Sequence, residues 1–287
     1  MKNKKKLWIP VVMALLAASF TYTIVTGKGT MATAAKPVQA VAQATTQAAQ
    51  DKISAKKVLD IDIPETIPVA DSNGKIPTSD DVSTVKRQTV TFGSYYQDKD
   101  GQKKTPLQWF VLEEKDGYSL LLSKNIIASK GWVEQGRKDT TWKEADLRLW
   151  LDSKFYLAAF SENERNQMGL FHSVQPQNPR YTTPAGEETV DNVALLSYQE
   201  LIHFMPTEQE RKAKPTDYAI AQGCYQNTDG DSAWWLRSPG PKANVPEHLA
   251  SWGNLGARTH YIDDNIIGVR PAIWVKTDYL KSVNKGE

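Results

Sequence analysis

Cysteine and histidine are scarce in this chain of 287 residues, which has one cysteine, Cys224, and four histidines. A single cysteine cannot form an intrachain disulfide, and it excludes a zinc site built from several cysteines. The formal net charge is only +2 at pH 7, and no stripe of lysine or arginine occurs in the body of the chain. Nucleic acid is therefore not an expected partner, because domains that bind it carry concentrated positive charge.

The usual signatures of catalysis are also missing. The sequence contains no Gly-x-Ser-x-Gly elbow, no Gly-x-x-x-x-Gly-Lys phosphate loop, no His-Glu-x-x-His and no Cys-x-x-Cys. Nothing near Cys224 supplies the base and the positive charge that an activated thiol needs, so we expect a buried, unreactive thiol. These absences favour a protein that is not an enzyme, although an enzyme of unrecognised type remains the alternative.

The N-terminus is basic and is followed by a long uncharged run. Lysines occupy positions 2 and 4–6, and residues 7–27 carry no charge. About 20 apolar residues are enough to cross a membrane, and lysines before such a run keep the N-terminus in the cytoplasm. We therefore predict a transmembrane signal anchor over residues 1–27 of a single-pass membrane protein whose C-terminal domain is extracellular. A cleaved signal peptide, which would give a secreted protein, is the alternative.

Residues 28–85 differ in composition from the rest of the chain. Alanine, glutamine and threonine dominate residues 31–50, and residues 60–83 are acidic and contain three prolines. Because neither part has a substantial apolar face that would dock on a core, we predict a flexible linker that holds the folded domain away from the membrane. A short strand within residues 58–63 is the alternative for that part of the segment.

Short strands and short helices alternate irregularly over residues 86–277, and a polar tail follows over residues 278–287. Asp116-Gly117 between two apolar runs predicts a β-hairpin. Serine or threonine at positions 141, 161 and 197, each with Glu three residues later, predicts three helix starts. Because there is no regular strand–helix repeat, the pattern favours a single α+β domain over a doubly wound sheet.

Two stretches near the C-terminus each place an arginine inside an apolar run. They are Trp-Trp-Leu-Arg-Ser-Pro-Gly at residues 234–240 and Gly-Val-Arg-Pro-Ala-Ile-Trp-Val at residues 268–275. An arginine among aromatic residues usually stacks on a ring or pairs with a carboxylate. We therefore interpret both stretches as framework strands, with Pro271 indicating an edge or a bulge. The predicted structural motif comprises Trp234, Trp235, Arg237, Arg270 and Trp274.

Together with Leu-Arg-x-Trp-Leu at residues 147–151 and Thr-Phe-Gly-Ser-Tyr at residues 91–95, these motifs resemble a domain-of-unknown-function family of Gram-positive bacteria. The resemblance covers about residues 85–277, and it implies an exported or membrane-tethered protein without an established activity. More remotely, the late strand pair is similar to C-type-lectin-like domains of the formylglycine-generating-enzyme type, which implies a C-type-lectin-like fold. Those enzymes use a pair of cysteines, so their activity is not carried over to a chain with one.

In lectin-like folds the loops between the late strands contact the ligand, and here these loops correspond to residues 241–267. The segment combines aromatic rings with amide and charged groups, which suit a glycan, a cell-wall polymer or a protein. We therefore predict a tethered extracellular binding module. An enzyme with its site in the same loop and a purely structural surface domain are the alternatives. The predicted ligand-binding residues are Trp252, Arg258, His260, Tyr261, Asp263, Asp264 and Asn265.

One short stretch suggests a cation site. Asn227, Asp229 and Asp231 place side-chain oxygens at alternate positions, as a calcium loop does. Ser232 stands where such a loop needs glycine, and an apolar strand follows directly. We expect a polar turn here, with a calcium site of another geometry as the alternative, and predict no other cofactor.

Overall fold

The computed structural model of the protein describes residues 56–76, 86–133, 139–256 and 260–285. These residues form eleven strands in three sheets together with several short helices, which confirms the α+β class. The predicted signal anchor and the first part of the predicted linker, residues 28–55, lie outside the described residues. Within the described ranges, no helix has both the length and the apolar character needed to cross a membrane.

The elements follow one another closely along the chain. The strands are β1 (Val58–Leu59), β2 (Thr89–Tyr96), β3 (Lys104–Lys115), β4 (Tyr118–Ser123), β5 (Ala128–Ser129), β6 (Leu170–Ser173), β7 (Thr189–Asp191), β8 (Trp234–Lys242), β9 (Val245–Leu249), β10 (Gly268–Val269) and β11 (Ala272–Lys276). The helices are α1 (Asp146–Trp150), α2 (Tyr156–Ala159), α3 (Glu162–Arg165), α4 (Tyr198–Phe204), α5 (Glu208–Arg211), α6 (Asp217–Ala221) and α7 (Thr277–Val283). A 3-10 turn (Trp142–Glu144) precedes α1, and a π-helical turn (Leu151–Phe155) joins α1 to α2.

The first sheet has the order β11-β4-β3-β2 and contains the predicted hairpin. Lys115 pairs with Tyr118 across a two-residue turn. Asp116 and Gly117 have φ values of 56° and 81°, the left-handed conformation that this pair of residues tolerates well. The hairpin prediction is therefore confirmed.

The second sheet has the order β5-β10-β8-β9, and it divides the closing stretch that we expected to be one strand. Gly268 in β10 pairs in parallel with Trp234 in β8, whereas β11 pairs antiparallel with β4 of the first sheet. Pro271 lies where the chain passes from one sheet to the other, a position at which its missing N–H costs no ladder hydrogen bond. The prediction of a single strand over residues 268–275 is wrong for this reason.

The predicted ligand loop, residues 241–267, is partly sheet. Strand β8 continues to Lys242, and β9 returns along it as an edge strand. The pairing between β8 and β9 shifts on both sides of Pro239, which lies opposite Pro246. Proline is tolerated at such irregular edge positions. Among the described residues of the segment, turns remain at positions 243–244 and after Leu249.

Residues 56–76 belong to the folded domain, although the predicted linker includes them. Strand β1 pairs in parallel with β6, and Leu59 and Ile76 are buried. The N–H of Ala70 donates to the hydroxyl of Tyr198 at 2.9 Å. The apolar residues that dock are isolated among prolines and acidic residues, so the sequence shows no amphipathic pattern. We call residues 56–76 the arm; the predicted boundary after residue 85 lies too late in the chain.

Two of the three predicted helix starts have the expected capping boxes. Ser161 and Ser197 each accept a hydrogen bond from the backbone of a glutamate three residues later, whose carboxylate accepts one from the serine N–H. Thr207 forms a third box, which was not predicted. Thr141 instead precedes the 3-10 turn, and its hydroxyl hydrogen-bonds the Glu144 carboxylate without capping the backbone.

Tryptophan supplies the largest buried side chains of the core. Six indole side chains are at most 2% exposed, and each contributes a large apolar surface to the interior. Two of them lie in the first sheet, two in the second, one in the 3-10 turn, and one follows β5. These tryptophans are Trp109, Trp132, Trp142, Trp234, Trp235 and Trp274.

The arm offers a direct test of the corrected domain boundary, because Leu59 is 2% exposed and its neighbour Val58 is 44% exposed. We expect Leu59→Ala to lower the free energy of unfolding by about 2–5 kcal/mol, the usual cost of truncating a buried leucine. Val58→Ala should change it by less than about 0.5 kcal/mol. Urea unfolding followed by tryptophan fluorescence measures both. Equally small effects would show that the arm does not dock.

Candidate functional site

Several predicted ligand-binding residues lie in one turn, residues 260–265. A carboxylate oxygen of Asp264 is 3.0 Å from His260 Nδ1 and accepts the N–H of Tyr261 at 3.0 Å. The Tyr261 ring is 55% exposed, and Asp263 and Asn265 are also exposed. The turn is fixed by internal hydrogen bonds and presents an aromatic ring, a carboxylate and an amide to solvent.

The remaining predicted residues are placed differently. Trp252 is 49% exposed and lies on a turn next to Gly253, whose carbonyl accepts a hydrogen bond from Arg211 at 2.6 Å. In the described ranges, no hydrogen bond or ring contact joins Trp252 to the 260–265 turn. Arg258 lies outside the described residues. The predicted set is therefore divided between two turns.

Tyr225 belongs to the same region and was missed. Its N–H donates to the carbonyl of Ile266 at 3.2 Å, and its ring is 57% exposed. Among the phenylalanine, tyrosine and tryptophan residues that the structure describes, only Tyr225, Trp252 and Tyr261 are exposed. A single tyrosine in a polar run gives no periodic signal, so the sequence alone could not distinguish it from an ordinary turn residue.

A half-open cleft of about 610 Å³ lies beside the β8–β9 hairpin, and we call it the hairpin cleft. Its volume is within the range typical of ligand pockets. Trp132 contributes to its lining, is 2% exposed, and has no hydrogen-bond partner for its indole N–H among the described residues. The other principal lining residues are three prolines (184, 239 and 246), three threonines (140, 141 and 183), and Asp139, Glu144 and Lys242.

The hairpin cleft adjoins the 260–265 turn. The carbonyl of Ile262 accepts the N–H of Val133 at 3.1 Å, and the N–H of Ile262 donates to the carbonyl of Asn244 at 3.1 Å. Val133 follows the lining residue Trp132, and Asn244 lies at the tip of the hairpin. Ile262 therefore connects two sides of the cleft, and the exposed ring of Tyr261 is next to it in the chain.

A buried ion pair fixes one wall of the hairpin cleft. Arg180 Nη1 lies 3.0 Å from Glu247 Oε2, and Asn178 donates to Glu247 at 3.1 Å and to the carbonyl of Pro239 at 2.8 Å. Burial raises the pKa of Glu247, whereas Arg180 and the hydrogen bonds favour its charged form. These contacts hold the segment that carries Thr183 and Pro184 against the hairpin.

A glycine lets the same segment approach a second part of the lining. Gly186 has a φ of +89°, and a Cβ at this position would lie 2.6 Å from the Cβ of Thr141. Only glycine combines this backbone conformation with so close an approach. The segment around Thr183 therefore reaches the residues that precede α1, and the walls of the hairpin cleft are set by the packed framework.

The two motif arginines face inward. The fully buried guanidinium of Arg237 pairs with both carboxylate oxygens of Glu200 and donates to the carbonyls of Leu195 at 2.7 Å and Val174 at 3.0 Å. Arg270 is also fully buried, lies 4.9 Å from the Trp234 ring centroid and donates to the carbonyl of Ser123. Burial lowers the pKa of Arg270 to about 9, so it is still positively charged at neutral pH. Neither arginine offers a surface to a ligand.

Period-two alternation in β8 does not separate a buried face from an exposed one. Trp234, Trp235, Leu236 and Arg237 are all fully buried, because the strand is covered on both sides. Trp274 in β11 is buried in the same way. The five predicted motif residues therefore all lie in the interior of the described structure.

The candidate calcium stretch forms a polar turn. Asn227 Oδ1 accepts the N–H groups of Asp229 and Asp231, each at 2.9 Å, and Asn227 Nδ2 donates to the carbonyl of Ser251 at 3.2 Å. This side-chain oxygen is therefore already used by the backbone. Across the described parts of the chain, no group of three or more His, Cys, Asp and Glu residues is arranged to hold a metal ion.

The side chains that line the hairpin cleft are suited to binding a ligand. Its lining combines apolar rings and prolines with hydroxyls and with charges of both signs, and it includes no His or Cys from the described residues. The Cys224 thiol is buried 3.1 Å from the Ser232 hydroxyl, and burial raises its pKa, which makes it a poor nucleophile. Trp132, Thr183 and the hairpin prolines were missed because they come from three separate segments of the sequence.

Comparison with known proteins shows that one family model matches the chain. The family model described as a domain of unknown function, DUF6273, matches residues 116–277. That range contains most of the hairpin cleft, the 260–265 turn and both arginine motifs. No curated protein and no solved structure shows significant similarity to the chain.

His248, which follows Glu247 in β9, gives a prediction about pH. Burial, aided by His260 at a ring-centroid distance of 4.8 Å, lowers the pKa of His248 from 6.5 to about 3. Between these values the unfolded chain binds a proton that the native state does not, so His248 reduces stability as the pH falls through this window.

We expect His248→Phe to make the loss of unfolding free energy between pH about 7 and about 4 smaller than in the wild type. Urea unfolding at several pH values measures this, with His203→Phe at an exposed histidine as the control. An unchanged pH dependence in His248→Phe would contradict a neutral buried imidazole.

Proposed function

The chain belongs to the DUF6273 family, a domain of unknown function, and we propose that it is a binding module for an extracellular glycan or cell-wall polymer. The proposed ligand site is the hairpin cleft together with the adjoining 260–265 turn. The observation that carries this proposal is the joining of a 610 Å³ cleft, partly lined by Trp132, to a turn that exposes Tyr261. A protein ligand and a purely structural role are the competing possibilities.

The composition of the site supports a sugar-containing ligand. A sugar ring has an apolar face, which packs on aromatic rings and prolines, and a rim of hydroxyls, which need hydrogen-bond partners. Pockets that bind such molecules combine apolar walls with a few precisely placed polar groups. The hairpin cleft has three prolines, three threonine hydroxyls, two carboxylates and one lysine.

The proposed location and architecture rest on the sequence. The basic N-terminus and the uncharged run over residues 7–27 support a single-pass anchor with the folded domain outside the cell. The motifs at residues 234–240 and 268–275 support a C-type-lectin-like arrangement and a Gram-positive bacterial origin. In such an arrangement the linker, shortened to end before the arm, would place the hairpin cleft within reach of the cell wall.

An enzymatic alternative has one specific observation in its favour. Asp139 and Glu144 both line the hairpin cleft, and pairs of carboxyl groups are the usual catalytic groups of glycoside hydrolases. If the protein hydrolyses a bound polymer, Asp139→Asn would abolish release of reducing ends while leaving binding in place. Retained binding with no hydrolysis by the wild type would favour the binding module.

A binding experiment with the full chain tests the proposal. The probes are a glycan array and sedimentation with insoluble peptidoglycan. We expect Tyr261→Ala and Lys242→Ala to weaken wild-type binding by about tenfold or more, because truncating a central contact residue typically costs over 1 kcal/mol. Lys276→Ala is the matched control, since this exposed lysine also ends a strand but does not line the cleft. The proposal is wrong if the folded wild type binds none of these probes, or if Lys276→Ala weakens binding as much as Lys242→Ala.

A further inference from the structure

Four polar side chains meet where the arm joins the rest of the domain. Lys56 Nζ donates to Asn192 Oδ1 at 3.0 Å and to the Tyr156 hydroxyl at 2.7 Å. On the other side of the same amide, Asp152 Oδ1 accepts Asn192 Nδ2 at 3.1 Å and also accepts the backbone N–H of Asn192. A primary amine, a carboxamide and a carboxyl group are therefore in consecutive hydrogen-bond contact.

We propose that Lys56 and Asn192 form an intramolecular isopeptide bond and that Asp152 transfers the proton. The neutral Nζ of Lys56 attacks Cγ of Asn192, and a new C–N bond forms. A proton passes from Nζ through the Asp152 carboxyl to Nδ2, the bond from Cγ to Nδ2 breaks, and one molecule of ammonia leaves. The products are a secondary amide and ammonia, so the reaction needs no oxidant, metal or cofactor.

The surroundings favour the protonation states that this reaction needs. Burial lowers the pKa of Lys56 to about 8, so about a tenth of the amine is neutral and nucleophilic at pH 7, far more than for an ordinary lysine. Burial, with a further contribution from Asp191, raises the pKa of Asp152 to about 6, which suits a group that both accepts and releases a proton. Arg165 opposes protonation of Lys56 from its position over the Tyr156 ring.

Other charged groups near the cluster are already paired. Asp191, the residue before Asn192, accepts hydrogen bonds from Arg148 at 2.6 Å, Trp142 at 3.1 Å and two hydroxyls at 2.7 Å. Lys57, next to Lys56, points to the exposed Asp116 at 2.9 Å. The amide of Asn192 is therefore approached by Lys56 and Asp152 without competition from these neighbours.

The fold holds the three reacting groups in place. Lys56 precedes β1, Asn192 follows β7, and both strands pair with β6 in the third sheet, which has the order β1-β6-β7. Asp152 lies in the π-helical turn, an irregularity that often occurs at functional sites because it redirects one side chain of a helix. The amine and the carboxamide are 136 residues apart in the chain, so only the folded state brings them together.

The bond would take the place of a disulfide in a chain with one cysteine. Lys56 is the first described residue of the arm, at the point where the predicted tether enters the folded domain. A covalent link there would carry tension from the tether directly to β7 and would prevent the arm from peeling away from β6. This inference does not depend on the identity of the ligand.

Mass spectrometry of the purified full chain tests the bond. We expect a tryptic digest of the wild type to contain one species in which residues 53–57 are joined to residues 181–211, lighter by one ammonia than the sum of the two peptides. Trypsin should fail to cut after Lys56. Lys56→Arg, Asn192→Ala and Asp152→Ala should each lose the linked species. Lys57→Ala, which alters the adjacent exposed lysine and removes its trypsin site, should keep the link, now between residues 53–75 and residues 181–211.

Thermal unfolding shows whether a variant that lacks the bond still folds. Lys56→Arg should unfold at a lower temperature than the wild type, and the wild type should migrate faster in denaturing gels because one loop is closed. The decisive sample is the wild type itself. If it unfolds cooperatively and its digest contains both peptides unlinked, the proposal is overturned, whatever the variants do. Loss of ammonia without a linked peptide would also overturn it.

Discussion

The arrangement of the domain depends on the hydrogen bonds that the buried guanidinium of Arg237 makes. It comes from β8 of the second sheet, pairs with Glu200 of α4, and donates to the carbonyls of Val174 and Leu195, which lie just beyond β6 and β7 of the third sheet. An unpaired buried charge would cost several kcal/mol, so the native packing must keep these groups together. Glu200 also closes the capping box of α4 through the N–H of Ser197. One side chain thereby fixes two sheets and the start of a helix.

The hairpin cleft is a consequence of this framework. Strand β8 is held by Arg237 at one end and continues into the β8–β9 hairpin at the other, where Glu247 pairs with Arg180. The second ion pair positions the segment that carries Thr183, and Gly186 lets the same segment approach Thr141. A ligand site formed in this way is supported by a buried ion pair and by a close backbone approach, which limits the reorganisation needed for binding.

Local features of the fold could be predicted from the sequence. The Asp116-Gly117 hairpin and the capping boxes at Ser161 and Ser197 depend on residues within a few positions of one another, and all three are present. The division of residues 268–275 between two sheets could not be predicted, because it depends on which distant strands are available to pair. The arm was missed for a related reason: Leu59 and Ile76 are single apolar residues whose partners are far along the chain.

The sequence by itself determined the α+β class and the location of Tyr261, Asp263 and Asn265 on an exposed turn. Only the tertiary structure decided which groups the motif arginines contact, that Trp132 and Thr183 line one cleft, and that Lys56 reaches Asn192. The physical reason is the range of the interactions involved. Turns and caps are set by neighbouring residues, whereas ion pairs, clefts and the Lys56–Asn192 contact join segments up to 136 residues apart. Such contacts leave no periodic pattern in the sequence, because each partner contributes a single residue.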